Sequence, residues 1–226
     1  MIRNLKILFA AALGLTAFGA IAANAQAIDE FHCSVEPCRG TLKPDGTGKT
    51  AHHVFIIENA AANESVSFTC EDLTGEGEVN ARVFTEITFT NLAYHNCTVN
   101  GIAGVEVLMN GCDYKYHAAG GTTDQANVSV ECPVGKKLEI KYNGCIITIT
   151  GGFQANGIGY VTVGVVREVT GTVNALTVPA AQIAADGTKA QCMINPAQQL
   201  TGTYTTGNTL ATAETIGGQM AEAWYE

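Results

Sequence analysis

The residues best suited to chemistry are histidines and carboxylates in segments with a strand-like pattern. His52 and His53 begin a predicted strand in TAHHVFIIE, so their side chains point to opposite faces and cannot chelate one ion together. We expect solvated histidines at a strand edge there. Asp113 and His117 share one face of the predicted strand CDYKYH. Such a pair can hold an imidazole for base catalysis, and it is also typical of cross-strand contacts.

The densest group of carboxylates surrounds TGEGE at 74–78. We interpret this segment as a turn that bears Glu71, Asp72, Glu76 and Glu78. Calcium binds such oxygens, but their spacing matches no EF-hand or β-helix repeat. A solvated acidic loop is therefore the expectation, with a calcium site as the alternative.

Candidate nucleophiles do not follow a known pattern. The chain has no G-x-S-x-G motif. The serines at 34, 65, 67 and 129 lie in ordinary strand or loop segments. Gly48-Lys49-Thr50 imitates the end of a phosphate-binding loop, but Lys43 occupies the position of the first glycine. The sequence thus predicts no convergent set of catalytic side chains.

Eight cysteines point to disulfide bonds. They are Cys33, Cys38, Cys70, Cys97, Cys112, Cys132, Cys145 and Cys192. An even number in an exported chain favours disulfides over metal or redox sites, and the chain has neither C-x-x-C nor paired zinc knuckles. Of the 105 possible pairings, we predict Cys33–Cys38, Cys70–Cys97, Cys112–Cys132 and Cys145–Cys192. No cofactor is expected, with calcium or zinc as the alternative.

The N-terminus is typical of an export signal. Arg3 and Lys6 precede an apolar run over 7–21, and Ala25-Gln26-Ala27 forms a small-x-small cleavage pattern. Cleavage near Ala27 leaves 10 basic and 21 acidic residues, a formal charge of −11. That charge repels phosphate backbones, so nucleic acid is not an expected partner. No later apolar run is long enough to cross a membrane, and we expect a secreted extracellular or periplasmic protein.

Period-2 alternation over most of the chain predicts short strands separated by turns. SVSFTCE places Val66, Phe68 and Cys70 on one face, and VFTEITFT is interpreted as one strand. TGEGE at 74–78 and ANG at 155–157 are interpreted as interruptions between strands. The only helix candidate is VPAAQIAADGTKA, around 178–190.

The motif N-G-C occurs twice, at 110–112 and at 143–145. Asn-Gly favours the type I′ hairpin turn, because both central residues take positive φ. We therefore predict two hairpins of similar design, each with a cysteine at the start of its returning strand.

These patterns predict one all-β domain, an antiparallel, disulfide-stapled β-sandwich, with a β-barrel as the alternative. The predicted organisation is a signal peptide over 1–27, a disulfide-tied N-terminal extension over 28–49, the β-sandwich over 50–206 and a C-terminal extension over 207–226.

Several segments carry a resemblance to a known group. They are HVFIIE, SFTC, NLAYHNC, VLMNGCDYKY, VECPVGKKLEIKYNGCIITI and GTYTTG. Over 50–205 the chain resembles secreted, cysteine-containing, Thr/Gly-rich β-proteins recurrent in actinobacterial and related bacterial genomes. The resemblance implies a fold and an exported address, and it supplies no catalytic residues.

The leading hypothesis for function is a secreted or cell-envelope β-domain with a non-enzymatic structural, adhesive or ligand-binding role. The expected partner is a surface ligand or protein, and Thr/Gly-rich strand edges favour homo-oligomers because they carry few blocking charges. One alternative is a secreted hydrolase that uses the acidic residues near 71–78 or the pair Asp113 and His117. Another is a metal-binding protein that uses the histidines.

Overall fold

The structure is a computed structural model that describes residues 30–44, 53–118, 125–163, 166–178, 192–194, 200–206 and 209–225. These residues form nineteen strands. In chain order they are β1 (Phe31–Cys33), β2 (Cys38–Pro44), β3 (His53–Asn59), β4 (Glu64–Cys70), β5 (Asp72–Val79), β6 (Val83–Phe84), β7 (Glu86–His95), β8 (Cys97–Val99), β9 (Ile102–Leu108), β10 (Asp113–Ala118), β11 (Gln125–Glu131), β12 (Leu138–Tyr142), β13 (Cys145–Ile149), β14 (Gly152–Val163), β15 (Val166–Val178), β16 (Leu200–Thr206), β17 (Thr209–Glu214), β18 (Met220–Ala221) and β19 (Ala223–Tyr225).

Eight strands pair in a closed antiparallel ring. Their order is β2, β5, β7, β10, β11, β14, β15 and β17, and the pairing of β17 with β2 returns to the start. Each strand therefore lies beside the ring strand that precedes it in the chain, as in a meander. Strands that are consecutive in sequence are often neighbours in a sheet, and the ring follows this rule.

The strands between the ring strands build a second antiparallel sheet. Its order is β13, β12, β9, β8, β4, β3 and β16, and it joins the ring through the C-terminal half of β15. Side chains from both sheets form one continuous hydrophobic core, for example Phe55 and Phe68 of the second sheet with Phe89 of the ring. A small third sheet of β19, β1 and β6 lies apart from this ladder.

The all-β, antiparallel, disulfide-stapled fold predicted from the sequence is confirmed. All four disulfides have the predicted pairing: Cys33–Cys38, Cys70–Cys97, Cys112–Cys132 and Cys145–Cys192. Two of them join neighbouring strands directly. Cys70–Cys97 continues the register of β4 with β8, and Cys112–Cys132 continues the register of β10 with β11.

The two N-G-C motifs both form tight turns, but only one of them is a hairpin. Asn110, Gly111, Asn143 and Gly144 all have positive φ, as predicted. Asn143-Gly144 connects the paired strands β12 and β13. The Asn110-Gly111 turn instead connects β9 of the second sheet to β10 of the ring, and these two strands are not paired with each other. The prediction of a second hairpin is therefore wrong. A local turn signal does not specify which strand the returning chain will pair with.

The acidic segment TGEGE is not a turn, because it lies within β5. Gly75 and Gly77 lie on its buried face. A Cβ on Gly77 would lie 2.5 Å from the backbone oxygen of Thr88, and one on Gly75 would lie 2.7 Å from Leu92. These glycines permit the close approach of β7 rather than a reversal of the chain.

Two further strand predictions are wrong. VFTEITFT is divided between β6 and β7, and Val83 is 46% exposed. ANG at 155–157 lies inside β14 and does not interrupt it. In both cases the pairing partners, rather than the local sequence, decide where a strand ends.

The predicted extensions contribute strands to the sheets. Residues 28–49 supply β2, which lies between β17 and β5 in the ring, and residues 207–226 supply β17. The predicted signal peptide over 1–27 lies outside the described residues. So does the helix candidate beyond Val178, at 179–190.

Candidate functional site

The two residues that the sequence singles out on one strand face, Asp113 and His117, lie on an outward polar face of three neighbouring ring strands. This polar face consists of alternate residues from each strand: Glu86, Thr88 and Thr90 of β7, Asp113, Lys115 and His117 of β10, and Asn127, Ser129 and Glu131 of β11. The opposite side chains of β10, Tyr114 and Tyr116, are buried in the core.

The Cys112–Cys132 disulfide lies at the end of this face and continues its register. From it the pairs run Asp113 with Glu131, Lys115 with Ser129 and His117 with Asn127. Directly opposite residues in an antiparallel pair have Cβ atoms about 5 Å apart. The disulfide therefore fixes which polar side chains of β10 and β11 lie opposite one another.

Asp113 and His117 do not contact one another, because four residues of extended chain separate them by about 13 Å. The carboxylate partner of His117 is instead Glu86 on β7, with Nδ1 lying 2.9 Å from Oε1. Lys115 donates to the other oxygen of Glu86 at 2.6 Å. These hydrogen bonds, from Lys115 first and His117 second, lower the pKa of Glu86, so Glu86 is a carboxylate and only accepts.

Ser129 completes the cluster on the other side of the imidazole. Its Oγ lies 2.7 Å from Nε2 of His117 and 3.5 Å from Oε1 of Glu131. Because Glu86 only accepts, Nδ1 carries a proton, and in the neutral ring Nε2 accepts from the hydroxyl of Ser129. Carboxylate, imidazole and hydroxyl thus lie in series across three strands.

Asp113 lies at the other end of the polar face in an unfavourable electrostatic environment. Burial raises the pKa of Asp113, and the like charge of Glu131 on the neighbouring strand raises it further. Like charges directly opposite each other in a sheet are destabilising. Asp113 also lines a concave surface.

That concave surface is a groove between the two sheets, with a volume of about 560 Å³. It follows β7 from Thr90 to Tyr94 on the ring side and the end of β9 on the other, and the Asn110-Gly111 turn closes it. Leu92, Val107 and Met109 form an apolar lining and are each less than 10% exposed.

Several polar side chains that line this groove donate hydrogen bonds to acceptors of the protein. The amide nitrogen of Asn110 donates to the backbone oxygen of Lys137 at 2.9 Å, and that of Asn91 donates to Glu76 at 2.7 Å. The hydroxyl of Thr90 donates to the backbone oxygen of Glu76. Asp113 is the one residue with an ionisable carboxyl group among those that line the groove.

Glu76 and Glu78, the other carboxylates singled out from the sequence, point outward from β5 and have protein partners. Glu76 accepts from Asn91, and Glu78 lies 3.7 Å from Arg39. Together with Arg39 and Thr90 they line a smaller cavity of about 180 Å³. The ion pair is surface-exposed, so it contributes little to stability.

The histidines that the structure describes do not form a group. His53 is fully buried rather than solvated, which corrects the expectation for this position, and its Nδ1 lies 2.8 Å from the hydroxyl of Tyr204. His52 lies outside the described residues. His95 contacts Thr74 at the far end of β7. Among the residues that the structure describes, no three His, Cys, Asp or Glu side chains are grouped to hold a metal.

His53 begins a buried chain of hydroxyl groups that joins the two sheets. Tyr204 of β16 accepts from Tyr94 of β7 at 3.0 Å, and Tyr94 lies 2.5 Å from the hydroxyl of Tyr114 on β10. Burial raises the pKa of Tyr94 and Tyr204 well above the usual value and that of Tyr114 to about 12. Tyr94 and Tyr114 of this chain lie on the buried side of β7 and β10, opposite the polar face.

Sequence reasoning identified His117 but missed Glu86 and Ser129. One signal could have found Ser129, since the predicted Cys112–Cys132 pairing sets the register that places Ser129 opposite Lys115 and diagonal to His117. No comparable signal pointed to Glu86, because nothing in the sequence shows that β7 lies beside β10.

The chain matches no protein-family model, no curated protein and no solved structure. Four disulfides indicate an oxidising compartment. Within the described part of the chain, no helix has the length and apolar character needed to span a membrane.

Proposed function

We propose that this protein is an exported β-module that binds a small ligand in the groove between its two sheets. The ligand is uncharged or positively charged and donates several hydrogen bonds, as a saccharide or an ammonium compound does. The observation that carries this proposal is the groove itself, whose apolar lining is flanked by polar residues, with Asp113 among the residues that line it.

The charge of the molecule supports the same ligand class. The whole chain carries a formal charge of −9, which repels anions and attracts cations over distances of about one Debye length. An anionic ligand would also meet the carboxylate of Asp113 and the nearby carboxylate of Glu131. Export is supported by the four disulfides and by the signal-like N-terminal sequence.

A hydrogen bond that involves a charged group contributes about 1.5–3 kcal/mol. Removing the charge of Asp113 should therefore weaken binding of an ammonium ligand by about 10-fold or more. The effect on a neutral polyol should be smaller, because an asparagine oxygen still accepts a hydrogen bond.

The test is a titration of ¹⁵N-labelled protein with neutral mono- and disaccharides, small alkylammonium ions, and carboxylate or phosphate anions. We expect saccharides or ammonium ions, and no anion, to shift the backbone amides of 90–94 and 107–113. Asp113→Asn should weaken ammonium binding, whereas Asp72→Asn, the same charge change on β5 outside the groove, should not. Shifts that map elsewhere, equal affinities in the two variants, or binding by none of the three classes would overturn the proposal.

A further inference from the structure

Ser129, His117 and Glu86 lie in the order that serine hydrolases use. Nδ1 of His117 is 2.9 Å from the carboxylate of Glu86, and Nε2 is 2.7 Å from the hydroxyl of Ser129. Both distances are within the hydrogen-bond reach that a nucleophile, its base and an orienting group require. This arrangement recurs on unrelated folds and is recognised by geometry rather than by sequence position.

We propose that Ser129 is a nucleophile, activated by His117 and oriented through Glu86, that accepts the acyl group of a small carboxylic ester. This activity goes beyond ligand binding in the groove, since Ser129 and His117 do not line it. Glu86 acts as a positioning residue, because it touches the imidazole and not the reacting atoms.

The reaction needs only the ester and water. The Oγ of Ser129 attacks the ester carbonyl carbon while its proton moves to Nε2 of His117. The C–O bond to the leaving alkoxide then breaks, and His117 returns the proton to release an alcohol. Water, deprotonated by the same imidazole, attacks the acyl carbon of the acyl-serine. The bond from that carbon to Oγ then breaks, a carboxylic acid leaves, and His117 returns the proton to Oγ of Ser129.

Lys115 places a positive charge on the same face as Ser129. It is directly opposite Ser129 in the register, so the two Cβ atoms lie about 5 Å apart on the same face. Its ammonium group is held by Glu86 at 2.6 Å. A cation placed beside the tetrahedral oxyanion stabilises the transition state, as hydrogen-bond donors do in other hydrolases.

The exposure of these side chains selects small esters. Ser129 is 9% exposed and the side chain of His117 is 22% exposed. A short acyl group such as acetyl therefore needs less displacement of the neighbouring side chains to reach the hydroxyl of Ser129 than a bulky acyl group does.

The first test is labelling of the folded, disulfide-intact protein with a small fluorophosphonate, followed by peptide mapping, together with hydrolysis of p-nitrophenyl acetate. We expect one adduct, on Ser129. Ser129→Ala should abolish it, and His117→Gln should slow labelling and hydrolysis by about 100-fold or more. Ser67→Ala, which removes a serine hydroxyl from β4 in the second sheet, is the matched control and should label like the parent protein.

Glu86 needs a readout that a purely structural role would not change. The ¹⁵N chemical shifts of the ring of His117 report its tautomer, and we expect the Nδ1–H form in the parent protein. Glu86→Gln should mix the tautomers and slow labelling while the circular dichroism spectrum stays the same. The proposal is overturned if the folded parent protein is not labelled, if the adduct lies on another residue, or if Ser129→Ala and the parent hydrolyse the ester at equal rates.

Discussion

Asp113 shows how one residue can be unfavourable for folding and suited to binding. It faces Glu131 across β10 and β11 at the rim of the groove, and burial and that charge raise the pKa of Asp113. A folded-state pKa above the unfolded value means that the folded protein holds this proton more tightly. The free energy of unfolding contributed by this group therefore falls as pH rises above the ordinary value of 3.8.

Replacing Asp113 with Asn should increase stability at neutral pH. We expect a gain of roughly 0.5 kcal/mol in the free energy of unfolding at pH 7, because a like-charge pair is removed. At pH 3 Asp113 is itself protonated, because its pKa is raised from 3.8, so the repulsion is absent and the gain should vanish. Urea unfolding at the two pH values measures both quantities.

A double-mutant cycle provides the control for this prediction. Glu131→Gln should give a similar gain alone and almost none when Asp113 is already Asn, since one interaction is lost in either case. A loss of stability in Asp113→Asn at pH 7, or an equal effect at pH 3, would show that the repulsion is not the cause.

At the scale of single strands, glycine decides how closely two ring strands approach. Gly40 and Gly77 are opposite each other in the pairing of β2 with β5, and both face side chains or backbone of β7. Because Gly40 and Gly77 have no side chains, β2 and β5 leave room for Ile87 and Phe89 of β7. The sequence pattern of TGEGE resembles a turn because glycine serves both purposes.

Gly77→Ala should destabilise the protein by about 1–3 kcal/mol, because its Cβ meets a backbone oxygen that cannot move without shifting β7. Gly152→Ala is the matched control, since no atom lies within 4 Å of a Cβ there, and its stability should be unchanged or slightly higher. Thermal or urea unfolding of the two variants compares them directly. Equal midpoints would refute the packing argument for β5.

At the scale of the whole molecule, the ring and the second sheet share one core, and hydroxyl groups cross between them. Tyr94 and Tyr114 come from the ring, whereas His53 and Tyr204 come from the second sheet. Phe55 packs against both Tyr94 and Tyr204, with ring centroids 5.3 and 4.6 Å apart. A buried hydroxyl that loses its partner costs about 1–3 kcal/mol, so the two sheets should unfold as one unit.

Alkaline titration should reveal this coupling. Burial raises the pKa of Tyr94, Tyr204 and Tyr116 and that of Tyr114 to about 12, whereas an unfolded tyrosine titrates near 10.0. The folded protein keeps these protons longer, so its stability decreases as pH rises above about 10.

We expect absorbance at 295 nm to report late ionisation of the buried tyrosines, in the same pH range in which circular dichroism shows unfolding. Titration of all seven tyrosines near pH 10 with the circular dichroism unchanged would contradict the buried hydroxyl chain.

The amino-acid sequence by itself determined the class of this fold and its covalent connections. Period-2 alternation indicates which residues of β4 and β10 are buried, Asn-Gly specifies positive φ at two turns, and the order of the cysteines predicted all four disulfides. The burial pattern and the turns depend on neighbouring residues, so local chemistry is sufficient to read them, and each disulfide joins cysteines that are consecutive in the chain.

Only the tertiary structure decided which strands became neighbours. The placement of β7 beside β10 brings Glu86 to His117, and the passage of the chain from β9 to β10 forms the groove with Asp113 at its rim. Strand pairing across many residues depends on the packing of the whole core, because a strand with a suitable pattern can pair with many others. The same reason explains why Asp113 and His117 were correctly placed on one face while the partners of His117 came from β7 and β11.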